Sequence, residues 1–128
     1  MENEIYQSVV EELVKYLPAD WEKVDMNVEV AERYCSAIFF VMVNGEYIYS
    51  MDLEKKYGIV TRYLSKNLLP ILLPDQQEKN WYAMNFYLKN TGEFNVEYDY
   101  EEPENTFTYR ENWCDKHMEA NTKKEKKE

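Results

Sequence analysis

The stretch from Ser36 to Tyr49 reads SAIFFVMVNGEYIY and carries the strongest fold signal in the chain. Residues 36–43 are almost wholly apolar, which is typical of a central strand buried on both faces. Asn44-Gly45 then favours a type I′ turn, because both central residues of that turn need a positive φ angle. The sequence therefore predicts a β-hairpin whose second strand runs from Glu46 to Met51.

Three more strands are predicted on either side of this hairpin. Residues 21–30 alternate, with Val24, Met26, Val28 and Val30 on one face and charged or polar residues on the other, as in a half-buried strand. Residues 81–88 and 94–100 form a second predicted hairpin across the turn at residues 89–92.

Helical patterns flank the strands. Apolar residues recur at helical spacing over residues 3–17 and again over residues 53–69, where Pro70 and Pro74 are expected to mark the end. A short helix is predicted over residues 106–118. The order α-β-β-β-α-β-β-α predicts an α+β fold, with an antiparallel sheet of about five strands and helices packed on one face. The other face would then be available to a partner.

Length and composition indicate one acidic domain. The chain has 128 residues and a formal charge of −10. Residues 1–115 hold 10 basic and 22 acidic residues, a net charge of −12, because five lysines lie after residue 115. We predict a single domain over residues 1–120 and a disordered charged tail over residues 121–128. A charge of this sign repels nucleic acids and attracts basic proteins.

The densest charge lies in residues 90–109, which contain six carboxylates and neither Lys nor Arg. Because side chains alternate along a strand, Phe94, Val96, Tyr98 and Tyr100 should share one face and the acidic residues the other. We therefore predict a partner-binding surface for a basic protein. Its predicted residues are Glu93, Glu97, Asp99, Tyr100, Glu101, Glu102, Glu104 and Tyr109.

Two other interpretations of the carboxylates stay open. Asp99 with Glu101 or Glu97 could form a metal-binding or acid–base pair, or the row could be a solvated face that serves solubility. The single histidine, His117, is expected at the surface near the tail. Cys35 and Cys114 fit no metal or redox spacing and are predicted to be free thiols in a reduced, cytosolic protein. No cofactor or metal is predicted, and no apolar run reaches the length of a membrane helix.

Single aromatic residues and short motifs at loose spacing over residues 5–113 resemble those of the YezG-like antitoxin family of bacterial immunity proteins. They are Tyr6-Gln7, Leu17-Pro18, Asp20-Trp21-Glu22-Lys23-Val24, Asn80-Trp81, Phe86-Tyr87-Leu88, Gly92-Glu93-Phe94-Asn95-Val96, Tyr98-Asp99-Tyr100, Tyr109-Arg110 and Trp113. The resemblance implies a non-enzymatic inhibitor that acts in the cytoplasm against a secreted or contact-delivered toxin, usually a nuclease. It supplies no catalytic residues.

The sequence thus predicts an immunity protein whose partner is the basic C-terminal domain of a cognate toxin. The free protein is expected to be a monomer or a weak homodimer, without nucleic acid or membrane as a partner. Two rival functions are an adaptor or chaperone for a basic secreted protein and, less well supported by the residues, a metal-dependent hydrolase that uses Asp99 and Glu101.

Overall fold

The computed structural model describes the backbone of residues 2–127 and the side chains of residues 3–121. It has four α-helices, two short 3-10 helices and five strands. The α-helices are α1 (Glu2–Leu13), α2 (Leu53–Tyr57), α3 (Tyr63–Lys79) and α4 (Thr106–Lys127), and the 3-10 helices are Val14–Tyr16 and Ser50–Asp52. The strands are β1 (Lys23–Ala31), β2 (Tyr34–Val43), β3 (Glu46–Tyr49), β4 (Ala83–Lys89) and β5 (Phe94–Asp99).

The strands form one antiparallel sheet in the order β3-β2-β1-β4-β5, which confirms the predicted α+β class and five-stranded sheet. Asn44 and Gly45 have φ angles of 52° and 79°, so the turn between β2 and β3 has the predicted positive φ at both positions. β1 lies at the centre and pairs with β2 and β4. β3 and β5 are the two edges.

One face of the sheet is apolar and packs against α1 and α3. From β1 it presents Val24, Met26 and Val28, all fully buried, and their neighbours from β2 and β4 share the face because the strands are in register. Leu64, Leu68 and Leu72 of α3 complete this core at intervals of four residues, which is the spacing of one face of a helix. The sheet and these two helices form the two layers that the alternating strands predict.

The last helix differs from the prediction that the helices share one face. α4 lies across the opposite face of the sheet, where Tyr109 bonds Asn27 and His117 bonds Asp25, both on β1. The second face of the central strand is therefore covered and not open to solvent. Because the residues on this face are polar, the hydropathy pattern indicated that they face water. In the structure, side chains of α4 hydrogen-bond to them.

The helix predicted over residues 53–69 is two helices, and its expected end was wrong. Gly58 ends α2 with φ of 70°, and its backbone N–H donates to the Glu54 carbonyl, which is the usual left-handed cap. Pro70 and Pro74 lie inside α3 and not after it. Both are exposed, so the backbone carbonyls that lose their helical N–H partners face water, which can bond them.

α4 runs through Lys127 and is longer than the predicted residues 106–118. Asn121 is tied to the folded body, since its side chain hydrogen-bonds the backbone of Tyr47. The side chains of residues 122–128 lie outside the described residues, and the disorder predicted for residues 121–128 stays a prediction, as does the boundary at residue 120.

Candidate functional site

β5 divides its side chains between the two faces of the sheet as predicted. Phe94, Val96 and Tyr98 lie on the apolar face, opposite Leu88, Phe86 and Met84 of β4. Asn95, Glu97 and Asp99 lie on the polar face, which α4 covers farther along the sheet. Since β5 is an edge strand, the carboxylate of Glu97 remains exposed, and it accepts only a long hydrogen bond of 3.4 Å from the hydroxyl of Tyr87.

Asp99 and Tyr109 belong to a polar network that fixes the start of α4. The Tyr109 hydroxyl donates to Asp99 Oδ2 at 2.7 Å and accepts from Asn27 Nδ2 at 3.0 Å. Asn85 links the two ends, because it accepts from Asn27 and donates to Asp99. Burial first, and then the hydrogen bond to Asp99, raise the pKa of Tyr109. The network therefore holds this hydroxyl as a protonated donor and uses Asp99 as its acceptor.

The loop after β5 carries the remaining predicted residues at the surface. Glu101, Glu102 and Glu104 are exposed, and Tyr100 is 59% exposed with its ring 6.2 Å from the ring of Tyr98. Among the described residues, none of these three glutamates has a Lys or Arg within ion-pair distance. They form an uncompensated negative patch beside an exposed aromatic ring.

Glu93 stands apart from the other predicted residues. It lies in the hairpin between β4 and β5, and its carboxylate is 3.8 Å from the ammonium group of Lys89. Both side chains are well exposed, so this pair contributes little to stability. The hairpin places Glu93 at the opposite end of β5 from Tyr100.

Two adjoining grooves connect most of the predicted residues. One, of about 540 Å³, lies between α4 and the β4–β5 strands and includes Asp25, Glu97, Asp99 and Tyr109 in its lining. The other, of about 520 Å³, is formed by the loop after β5. Its lining is Asp99, Tyr100, Glu101, Glu102, Pro103, Glu104 and Tyr109. Asp99 and Tyr109 are common to both, so the structure brings seven of the eight predicted residues together and leaves out Glu93.

The residues that anchor α4 were not predicted from the sequence. Arg110 Nε is 2.5 Å from Glu29 Oε2, and the same guanidinium bonds the Tyr34 hydroxyl. Glu29 is only 2% exposed, and Tyr82 donates to its other oxygen at 2.9 Å. The buried Glu29 carboxylate thus accepts from two side chains and ties β1 to α4 and to the residue that precedes β4.

His117 is the second anchor, and its expected surface position was wrong. It is 8% exposed, its Nε2 is 2.8 Å from Asp25 Oδ2, and its ring stacks on Phe40 at 4.6 Å. Asn121 is the third anchor. A signal for these positions was present in the sequence, since Tyr109, Trp113, His117 and Asn121 recur every four residues along one face of a helix.

Neither cysteine has a setting that favours a reactive thiolate. Both are free thiols, as predicted. Burial raises the pKa of Cys35 to about 12, and burial also raises the pKa of Cys114. Within residues 3–121, no three or more His, Cys, Asp or Glu side chains come together as a metal site, and Asp99 is already used by Tyr109 and Asn85. No helix in the described part of the chain is long and apolar enough to cross a membrane.

The sequence that forms this fold matches a known family over residues 2–128, the YezG-like immunity proteins. The chain belongs to this family. Relatives named immunity protein YezG include one from Bacillus spizizenii, 23% identical over 110 residues that cover 77% of this chain and 68% of the relative. Another, from Bacillus subtilis strain 168, is 27% identical over 111 residues that cover 77% of this chain and 73% of the relative.

Membership confirms the family resemblance that the sequence motifs indicated. A YezG-like immunity protein implies a toxin as its partner. The family name states no chemistry for that toxin and no surface by which it is bound. The toxin's chemistry and the binding surface must therefore be inferred from the residues of this chain.

Proposed function

We propose that this YezG-like protein neutralises a cognate toxin domain, a nuclease, by binding the basic surface of that domain in the cytoplasm. The observation that carries this proposal is the patch of exposed carboxylates on β5 and the following loop, which no Lys or Arg among the described residues reaches within ion-pair distance. We call this patch the acidic edge and define it by Glu97, Tyr100, Glu101, Glu102 and Glu104. Asp99 and Tyr109 line the grooves beside it.

The charge of the acidic edge fits a nuclease better than other toxin chemistries. A nuclease must hold a polyanion, so its cleft carries Lys and Arg side chains. Carboxylates on a rigid strand and loop can take the positions that phosphates would occupy. The net charge of −10 extends this attraction beyond direct contacts and should raise the association rate at low salt.

Tyr100 gives the acidic edge an anchor as well as charge. An exposed tyrosine surrounded by polar residues is a frequent hot spot, because its ring buries a large area while its hydroxyl can still hydrogen-bond. Tyr109 serves a different purpose, since its hydroxyl is used by Asp99 and Asn27. We expect Tyr100 to contact the toxin and Tyr109 to hold α4 in place.

The proposal is tested by co-expression and then by charge reversal. Toxin domains encoded in the same genome are expressed with and without this protein, and one of them should be lethal alone and harmless in its presence. With the purified pair, Glu97→Lys combined with Glu101→Lys should weaken binding by about tenfold or more, because each change places a cation against a basic surface. Asp99 is left intact, because its loss would break the network under α4.

The matched control is Glu46→Lys combined with Glu54→Lys, which makes the same charge change at exposed positions on β3, the opposite edge of the sheet, and on α2. The control should bind almost as tightly as the wild type. Equal weakening by both pairs would show general charge attraction and not a defined surface. Similar binding to several unrelated basic proteins would favour the rival adaptor function.

A further inference from the structure

The two edges of the sheet are treated differently by the rest of the chain. At the β3 edge, Asn121 Oδ1 accepts from the Tyr47 backbone N–H and Asn121 Nδ2 donates to the Tyr47 carbonyl, both at 2.8 Å. The side-chain amide thus makes the pair of bonds that a further strand would make. Unpaired edge strands invite pairing with another chain, and this edge is blocked at Tyr47.

The β5 edge has no such cover. The backbone oxygens of Glu93 and Asp99 accept from N–H groups of Lys89 and Tyr82, on the β4 side. Because backbone groups alternate in direction along an antiparallel strand, those of Phe94, Val96 and Tyr98 point away from β4. No described residue hydrogen-bonds these outward groups. The edge therefore offers three free N–H and three free C=O groups in a row.

The side chains of β5 restrict what could pair there. Side chains of an added strand that point to the polar face would lie beside Asn95, Glu97 and Asp99. Those that point to the apolar face would lie beside Phe94, Val96 and Tyr98, and Phe94 is 40% exposed. Side chains on neighbouring strands contact each other on the same face, and opposite charges favour pairing. A suitable segment would alternate basic and apolar residues.

We propose that β5 is the docking edge for an extended segment of the toxin that alternates basic and apolar residues and adds to the sheet as a sixth strand. The identity of the partner rests on the proposed function, whereas the edge itself does not. Main-chain hydrogen bonds would supply register and affinity, and the carboxylates of β5 would select basic side chains. The blocked β3 edge would leave a single productive place to add.

The first test is amide hydrogen exchange followed by NMR. In the free protein, the amides of Phe94, Val96 and Tyr98 should exchange rapidly while that of Tyr47 is protected. Two probes are added in turn: the toxin domain identified by co-expression and a short synthetic peptide of alternating lysine and valine. Both should protect the three β5 amides, and a glutamate–valine peptide should not. Protection elsewhere, or none, would overturn the proposal.

Concentration-dependent protection of these amides in the free protein would also overturn it, because the edge would then belong to a second copy of this chain. The peptide experiment does not require a toxin to be found. It therefore distinguishes a wrong proposed function from a β5 edge that does not bind an added strand. A toxin that binds through the acidic edge without protecting the β5 amides would reject the sixth strand and keep the proposed function.

The second test is Val96→Pro, which removes one outward N–H at a strand edge, where proline is tolerated. Its matched control is Val96→Thr, which keeps the N–H and a branched side chain. The proline variant should lose about tenfold or more in toxin affinity and the threonine variant little. Wild-type affinity in a folded proline variant would overturn the proposal. If the proline variant does not fold, amide exchange on the wild type decides.

Discussion

The two faces of the sheet are both buried, but by different means. On one face, Val24, Met26 and Val28 of the central strand are covered by the leucines of α1 and α3. On the other, Asn27 and Glu29 of the same strand are 1% and 2% exposed, and their side chains are paired by hydrogen bonds and an ion pair.

Burial in this protein therefore follows two rules. The apolar face gains from removing hydrocarbon from water, which needs no particular geometry beyond close packing. The polar face gains only if each buried group finds a partner, because an unpaired buried carboxylate or amide is costly. No buried side-chain N or O among the described residues lacks a hydrogen-bond partner, so α4 meets that condition.

The largest effect is expected on the apolar face. Leu68→Ala removes a fully buried side chain of α3 and leaves a cavity, so the free energy of unfolding should fall by about 2–5 kcal/mol. Urea unfolding followed by circular dichroism measures it. Met51→Ala is the control, since Met51 is 68% exposed and its loss should change stability little. A smaller loss for Leu68→Ala than for any single change on the polar face would reverse the ranking.

A smaller effect is expected when α4 loses its ion pair. Arg110→Ala leaves the buried Glu29 carboxylate with Tyr82 as its one remaining side-chain donor, which should cost about 1–3 kcal/mol. Arg33→Ala removes an exposed arginine in the turn between β1 and β2 and serves as the control.

The same variant should loosen α4 before the sheet unfolds. Amide hydrogen exchange followed by NMR would report this, because the amides of α4 should lose protection before those of β1. If Arg110→Ala and Arg33→Ala have equal stability, the ion pair contributes nothing net, and the contacts of Tyr109, Trp113, His117 and Asn121 hold the helix.

The apolar face was predictable from the sequence and the polar face was not. Period-two alternation in β1 and the Asn44-Gly45 turn depend on neighbouring residues, so local rules identify them. The same alternation indicated that Asn27 and Glu29 face water. Their burial depends on Tyr109 and Arg110, about 80 residues away, and no local pattern indicates which distant helix will supply partners.

The helices show a similar limit. Pro70 and Pro74 predicted the end of a helix, because proline removes a helical hydrogen bond. The core contacts of Leu68 and Leu72 outweigh that loss, and both prolines face water. The alternation of β5 was predicted correctly, but the role of Asp99 as an acceptor for Tyr109 could not be. The sequence therefore predicted the run of carboxylates without separating the exposed ones from Asp99, which is structural.

The smallest change in stability is expected for a polar residue that is buried between α1 and α3. Glu12 of α1 is 7% exposed and accepts from Asn67 at 2.7 Å, from Tyr16 at 2.9 Å and from Lys15 at 2.9 Å. Burial alone would raise the pKa of Glu12, but the three hydrogen bonds outweigh it and leave the pKa below its ordinary value of 4.5. The ionised form is therefore the one that stabilises the fold.

Glu12→Gln should lower the free energy of unfolding by about 1 kcal/mol at pH 7. Because the folded pKa is depressed, the contribution of Glu12 is complete above pH 4.5 and is lost as the pH falls through the folded value. The difference between wild type and variant should therefore shrink below pH 4.5, as measured by urea unfolding across pH 3–7. Glu11→Gln, at the exposed neighbour, controls for the charge. A difference that stays constant down to pH 3 would mean that Glu12 stabilises the helix pair by shape and not by charge.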